Sequence, residues 1–387
     1  MSVFRSRRVL QHDYTPSRLP HRDHQMKELW RYFEPVLSEE ATAKVHVYGP
    51  IGTGKTVLCK RFGIDFEEEA FKRKEKVRYV HVNLSYTPKI PYILTQLVDQ
   101  VSFINTPRSG LGPEEMLRDV AKTLSQEDYR LILVLDEVDT YIREKGNPKI
   151  FYMLGRFHEL YPDPTPRLSL IYISRSLGWM DKLDRATLET LGRVSGVNLD
   201  EYDPREITDI LSYRAEEALT SAAFSEDIIQ FIADLSVSNG GIRYALELLS
   251  EAGGIADREY ANSVRPGHVR IAHVNIPKGV NGAYYPADLS LHKQLLLRAV
   301  IDALENNRTP YVPIEEIYGR YQEVCGGHRL EVKEEAVISS YLKDLKVEGY
   351  VLLKEEGSKA AIEFPLIRMR DSIEEALKHT LQLSNSI

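Results

Sequence analysis

Cysteine is scarce: Cys59 and Cys325 are the only two in 387 residues, and they stand far apart. A disulfide framework is therefore excluded, and a reducing cytoplasmic setting is expected. No apolar run is long enough to cross a bilayer, so no membrane partner is expected. The basic start, Met1-Ser2-Val3-Phe4-Arg5-Ser6-Arg7-Arg8, is not followed by the apolar stretch that a secretion signal needs. The 11 histidines show no spacing suited to zinc. Low-complexity tracts and internal repeats are also missing. Nor is there a surplus of positive charge. With a formal net charge of −7, any contact with nucleic acid must come from local basic patches and not from a global field. What remains is an ordinary globular composition, 43% hydrophobic and 28% charged, in a chain long enough for two or three domains.

Against that plain background one segment carries chemistry. Gly49-Pro50-Ile51-Gly52-Thr53-Gly54-Lys55-Thr56 has the form G-x-x-x-x-G-K-T and follows the apolar run Val45-His46-Val47-Tyr48. Glycines let backbone N–H groups close around phosphates, and the helix that continues through Val57 offers the positive end of its dipole. Lys55 reaches the β/γ-phosphates, and the Thr56 hydroxyl is a Mg²⁺ ligand. A second run, Leu131-Ile132-Leu133-Val134-Leu135, ends in Asp136-Glu137-Val138-Asp139. An unbroken apolar strand belongs inside a parallel sheet covered on both faces, and ligands bind at the carboxyl ends of such strands. Asp136 is expected to hold Mg²⁺, directly or through water, and Glu137 to orient the attacking water. ATP/ADP with Mg²⁺ are the cofactors this pair implies.

Strand patterns at 45–48, 77–83, 131–135 and 168–173 alternate with helical ones, which predicts a three-layer αβα sandwich over residues 1–200. From about Pro204 the strand patterns stop, and helices near 204–219, 226–235 and 242–251 predict a small all-α domain over 201–275. Residues 276–286, with Asn281-Gly282 and Tyr284-Tyr285-Pro286, read as a linker. Over 287–387, three helical patterns precede two short β-prone runs, 350–353 and 360–364. That is the layout of a winged helix, a helix-turn-helix variant. Its third helix presents Ser339, Ser340, Lys343 and Lys346, with Glu334 and Glu335 at its start, and the wing offers Lys354 and Lys359 beside Glu355 and Glu356. From these residues alone, backbone contact with duplex DNA and contact with a protein partner both remain open.

Taken together, these motifs resemble the archaeal Orc1/Cdc6-type replication initiators of the AAA+ class over nearly the whole chain. The lead Asp13-Tyr14-Thr15-Pro16 to Leu19-Pro20-His21-Arg22-Asp23 and Gln25 is similar to the family segment that packs beside the adenine. Tyr202, Ile210-Leu211 and Arg214 resemble nucleotide-contacting residues at the start of the lid. Gly240-Gly241-Ile242-Arg243-Tyr244-Ala245 is similar to the sensor-2 segment, which implies that Arg243 points at the γ-phosphate.

There are departures. Ser174-Arg175-Ser176 stands where the family places a sensor-1 asparagine. The arginine-finger box, Leu183 to Leu191, lacks an arginine at the expected place, with Arg185 or Arg193 as substitutes. The resemblance implies an origin-recognition protein that binds duplex DNA, helps recruit or load the replicative helicase, works with paralogous initiators and hydrolyses ATP slowly, using it as a switch. An inserted helical stretch near 88–112 would add Lys89 and Arg108 to the DNA contacts. Two other readings stand beside it: a signalling or transcription-regulating ATPase whose winged helix contacts protein, and a metabolic P-loop kinase.

Overall fold

The structure is a computed structural model. It describes residues 2–38, 41–86, 89–101, 111–144, 146–160, 167–192, 194–276, 286–354 and 357–384. Two compact units emerge, one of Asp13–Tyr202 and the other of Met1–His12 with Asp203–Ile387.

The first unit is built on five parallel strands, β1 (Lys44–Tyr48), β2 (Val77–Asn83), β3 (Arg130–Asp136), β4 (Leu168–Ser174) and β5 (Ser195–Asn198), in the order β2-β3-β4-β1-β5. The alternation of side chains explains why β3 and β4 are apolar throughout. Leu131, Leu133, Leu135, Leu168, Leu170 and Tyr172 enter one core, while Ile132, Val134, Ile171 and Ile173 enter another on the opposite face. Helices α1 (Asp23–Ser38) and α2 (Lys55–Lys72) cover the second face through Leu29, Phe33, Phe62 and Phe66. The first face is covered by α3 (Ile90–Val101), α4 (Pro113–Glu127), α5 (Val138–Arg143) and α6 (Lys149–Gly155), with the short α7 (Phe157–Leu160) and α8 (Arg185–Leu191) following. This is the αβα sandwich expected from the alternation. The fifth strand, Ser195-Gly196-Val197-Asn198, carries one buried apolar side chain and has no sequence pattern of its own; pairing with β1 makes it a strand.

In the second unit the lid comprises α9 (Pro204–Ala218), α10 (Glu226–Val237), α11 (Gly241–Arg258) and α12 (Pro266–Asn275). Asp203 caps α9, accepting from the Arg205 and Glu206 N–H groups, while Glu206 Oε2 accepts from the Asp203 N–H. Residues 2–12 pack on these helices. Arg5 and Ser6 donate to Ala218 O, Thr220 to Val3 O and Val3 to Asp257 Oδ1. The Phe4 ring rests on Gly253, where a Cβ would come within 2.5 Å of Phe4 Cζ. The basic lead thus packs with the lid helices, although in the chain it directly precedes the αβα domain.

The winged helix consists of α13 (Leu291–Asn307), β6 (Val312–Pro313), α14 (Ile314–Gly327), α15 (Glu335–Val347), β7 (Leu352–Lys354), β8 (Lys359–Ala361) and α16 (Leu366–Ser384). Strand β6 joins the wing hairpin in the order β6-β8-β7, and α16 closes the core with Met369, Ile373 and Leu377. The three helices and hairpin match expectation; β6 and α16 are additional.

Arg270 of α12 ties lid to winged helix. It is 2% exposed, donates to Ile362 O (2.8 Å) and Pro310 O (3.4 Å), and lies over the Phe231 ring of α10 at 5.3 Å. The expected linker falls almost wholly outside the described residues, as do Arg108 and Arg193.

Candidate functional site

The phosphate loop joins β1 to α2. Gly49, Gly52 and Gly54 have φ of 151°, 84° and 85°, values that a side chain would strain. Gly49 is also fixed by close approach, since a Cβ there would lie 2.1 Å from Leu199 O. Gly54 caps α2, so the N–H groups of its first turn, at Lys55, Thr56 and Val57, point back toward the loop. Thr53 is buried and its hydroxyl donates to Pro50 O at 3.0 Å, closing the turn. The Lys55 ammonium donates to Gly49 O (2.7 Å) and Pro50 O (2.5 Å), holding a positive charge over the loop.

Asp136 ends β3 beside this loop and is 2% exposed. Its Oδ2 accepts from the Thr56 hydroxyl at 2.8 Å and pairs with His81 Nε2 at 3.0 Å; its Oδ1 accepts from the Glu137 N–H at 2.8 Å. Thr56 and Asp136 are thus two hard oxygen donors already in contact at the helix start, a set that suits Mg²⁺. Glu137 is half-buried, with φ of 58°, and begins α5. Cys59 lies beneath, and burial pushes its thiol well up, which keeps it protonated next to Asp136.

Around this centre the sequence candidates separate. Ser174 is buried, its hydroxyl oxygen lying 2.6 Å from both Ser176 O and His46 Nε2. Arg175, half exposed, reaches to within 3.9 Å of the Asp139 carboxylate, so the departure at sensor 1 leans on the acidic segment. Arg185 is almost wholly exposed and pairs with Glu189, one turn along α8. Tyr202, the last residue of the unit, carries the Arg22 guanidinium on its ring, and its hydroxyl would meet a Cβ at Gly54 at 3.2 Å. Arg214 and Arg243 belong to the other unit. Arg214 is buried and donates to Val9 O, inside the packing of the lead on the lid. Arg243 is exposed at the start of α11.

One site residue carries no motif in the sequence, His81; Arg22 belongs to the lead segment already singled out there, and its side chain is buried. The signal for His81 is register. Asn83 pairs with Asp136 across β2 and β3, which puts His81 on the same sheet face one step back, but only once those strands are known to be neighbours.

On the winged helix, Ser340, Lys343 and Lys346 are exposed on α15 and Ser339 is half-buried. Lys293 of α13 binds Asp344 (3.0 Å) and Glu348 (2.9 Å), neutralising two acids that flank those lysines. Lys354 is differently placed: its ammonium meets Asp234 of the lid at 3.0 Å. Lys359 is half-buried, and Lys89 is exposed before α3.

Comparison with known proteins accords with this arrangement. The AAA domain matches residues 42–176, the Cdc6 AAA+ ATPase-type lid domain 208–274, and the CDC6 C-terminal winged helix domain 287–378. An ORC1-type DNA replication protein of Pyrococcus abyssi is 31% identical over 91% of this chain and 84% of its own length. ORC1-type DNA replication protein 2 of Sulfolobus acidocaldarius is 28% identical over 92% and 87%. Among solved structures, Cdc6p from Pyrobaculum aerophilum superimposes with a TM-score of 0.82 at 25% identity, covering 98% of this chain and all of that one. The Aeropyrum pernix ORC1 protein, solved in complex with DNA, has a TM-score of 0.63 at 26% identity over 99% of both chains. A P-loop joined to the Thr56–Asp136 pair, a four-helix lid and a C-terminal winged helix, matched along nine-tenths of the chain, lead to one conclusion: this protein belongs to the ORC1-type (Orc1/Cdc6) family of DNA replication proteins.

Proposed function

We propose that this protein is an ATP-dependent origin-recognition factor that binds duplex DNA and changes its grip with the bound nucleotide. The observation that carries the reading is the Thr56–Asp136 contact at the start of the P-loop helix, in a chain whose likeness extends end to end to an ORC1 solved with DNA.

Lys55 would exchange the carbonyls of Gly49 and Pro50 for the β/γ-phosphates, and the N–H groups of Gly52 to Val57 would wrap them. Mg²⁺, held by Thr56 and Asp136, supplies charge neutralisation on the phosphates. Glu137 orients the attacking water. Arg175 in place of an amide, and an Arg185 whose acidic partner lies on its own helix, support slow hydrolysis and a switch-like use of ATP. Tyr202 and Arg22 would flank the base, while Arg214 and Arg243 would report the nucleotide to the lid.

Because Arg270 fastens the lid to the winged helix, a turn of the lid would carry α15 and the wing with it. Phosphate contacts by Lys343, Lys346, Lys354 and Lys359, with Ser339 and Ser340 beside them and Lys89 and Arg108 from the αβα domain, complete the DNA reading. Recruitment of the replicative helicase, cooperation with paralogous initiators and a place on the nucleoid follow from the same family role.

A protein partner for the winged helix is the second reading, favoured by Val347, 88% exposed at the end of α15. Titration of a labelled duplex with ATP, ADP and no nucleotide, at two salt concentrations, tests both. The initiator reading expects affinity that falls steeply with salt and changes with nucleotide, the latter lost in Lys55→Ala. Salt-independent or nucleotide-blind binding in the wild type would sink it.

A further inference from the structure

Asp136 is gripped by more than the P-loop. The Oδ2 that accepts from Thr56 is also met by His81 Nε2 at 3.0 Å, and His81 Nδ1 in turn lies 3.2 Å from the Tyr79 hydroxyl. His81 and Tyr79 are two residues apart on β2, so both face the sheet side that α2 covers. We propose that His81, backed by Tyr79, is a positioning residue for the Mg²⁺-binding carboxylate, an inference that rests on the nucleotide reading above.

The direction of each bond follows from the donors present. A carboxylate only accepts, so the imidazole carries its proton on Nε2 and donates to Asp136. Its Nδ1 is then an acceptor, and the Tyr79 hydroxyl is the donor that fills it. Burial pushes the Tyr79 phenol well up, so that proton stays in place. The tyrosine is itself fixed by α2. Its ring lies over Gly63, where a Cβ would come within 2.5 Å of the nearest ring atom, and its N–H donates to Glu67 Oε1 at 2.8 Å. The relay Tyr79–His81–Asp136 therefore starts and ends against the helix that supplies Lys55 and Thr56.

The consequence appears when Thr56 also serves the cation. Its hydroxyl would bind the cation through an oxygen lone pair while its proton still points to Asp136 Oδ2, so one group would serve the cation and the carboxylate together. The Glu137 N–H at Oδ1 and the His81 N–H at Oδ2 lie one on each oxygen, and together they fix rotation of the carboxylate. Removal of His81 leaves Oδ2 held only by the Thr56 hydroxyl that the cation also uses, so the ligand is less well ordered before binding.

The test measures binding and not turnover. Mn²⁺ titration by electron paramagnetic resonance, on nucleotide-loaded protein, is combined with fluorescent-ATP affinity in Mg²⁺ and in EDTA. His81→Leu is expected to lose about tenfold to a hundredfold in Mn²⁺ affinity, and the Mg²⁺-dependent gain in ATP affinity with it. Affinity in EDTA stays at the wild-type level. His81→Gln, which keeps an N–H donor, recovers most of the loss, and Tyr79→Phe, which removes one oxygen, shows a smaller loss. Unchanged Mn²⁺ affinity in His81→Leu, or an equal loss of ATP affinity in Mg²⁺ and EDTA, overturns the proposal. If His81→Leu does not fold, unchanged Mn²⁺ affinity in Tyr79→Phe overturns it instead. A wild-type chain whose ATP affinity ignores Mg²⁺ overturns the parent reading, which the Lys55→Ala control separates from this one.

Discussion

The guanidinium carbon of Arg22 lies 3.8 Å from the centroid of the Tyr202 ring, while its Nη2 donates to Thr53 O (3.0 Å) and Asp200 O (2.9 Å). One buried side chain thus joins the segment just before α1 to the P-loop and to the last residues of the same unit. Arg22→Ala removes these bonds and the stacking, and leaves two carbonyls without that donor. We expect a loss of about 2–3 kcal/mol, or roughly 6 °C in the melting temperature of this unit. Arg22→Lys recovers little, because an ammonium neither stacks flat nor forks. Calorimetry on both variants checks this, and equal melting in Ala and wild type would refute it.

Acid sensitivity should be traceable to His46. Burial pushes its imidazole down to about 4, and its Nε2 accepts from the Trp179 indole N–H at 3.2 Å, an arrangement that a proton on Nε2 would oppose. The unfolded chain takes up a proton near pH 6.5 that the folded chain refuses until about 4. Stability is therefore full above pH 6.5 and falls as pH drops toward 4, by on the order of 3 kcal/mol. Urea unfolding of His46→Asn across that window should show a shallower pH slope than wild type.

Arg270 is a buried cation whose partners among the described residues are carbonyls and an aromatic face. Burial pulls its guanidinium down to about 10, so it remains charged at neutral pH. Arg270→Ala strands Ile362 O and Pro310 O and should cost about 2–4 kcal/mol. Both tryptophans, Trp30 and Trp179, lie in the other unit, so fluorescence is a poor reporter. Hydrogen exchange is suitable: amides of β8 and α12 should lose protection together, while those of β3 keep theirs.

Lys354, paired with Asp234, would have two uses under the DNA reading. Its pairing with Asp234, which also accepts from the Tyr311 hydroxyl, competes with any DNA phosphate. Asp234→Asn should raise duplex affinity by about threefold, the size of one removed like charge at a surface. Lys354→Ala should lower it and reduce the slope of log affinity against log salt by about one. A Lys354→Ala variant with wild-type slope would remove this residue from the DNA surface.

Much of the site is legible in the amino-acid order. Gly49 to Thr56 and Asp136-Glu137 need only their neighbours in the chain, because a phosphate loop is a local backbone conformation and its strand is apolar by itself. The winged helix is legible as three helices and a hairpin for the same reason. Strands β5 and β6 are not: Ser195-Gly196-Val197-Asn198 and Val312-Pro313 become strands only by pairing with β1 and β8. Helix α16 lies beyond the expected hairpin and outside the expected layout, though Met369, Ile373 and Leu377 have helical spacing.

Short-range periodicity, and residue types with fixed backbone demands, were enough to determine the fold class, the pairing of the P-loop with Asp136-Glu137, and the three-part plan. Tertiary structure decided which partners those residues meet. Residues 2–12 went to the lid, Lys354 to Asp234, and His81 to Asp136. In each case groups 55 to 255 positions apart were brought within hydrogen-bond reach by packing that no local pattern encodes.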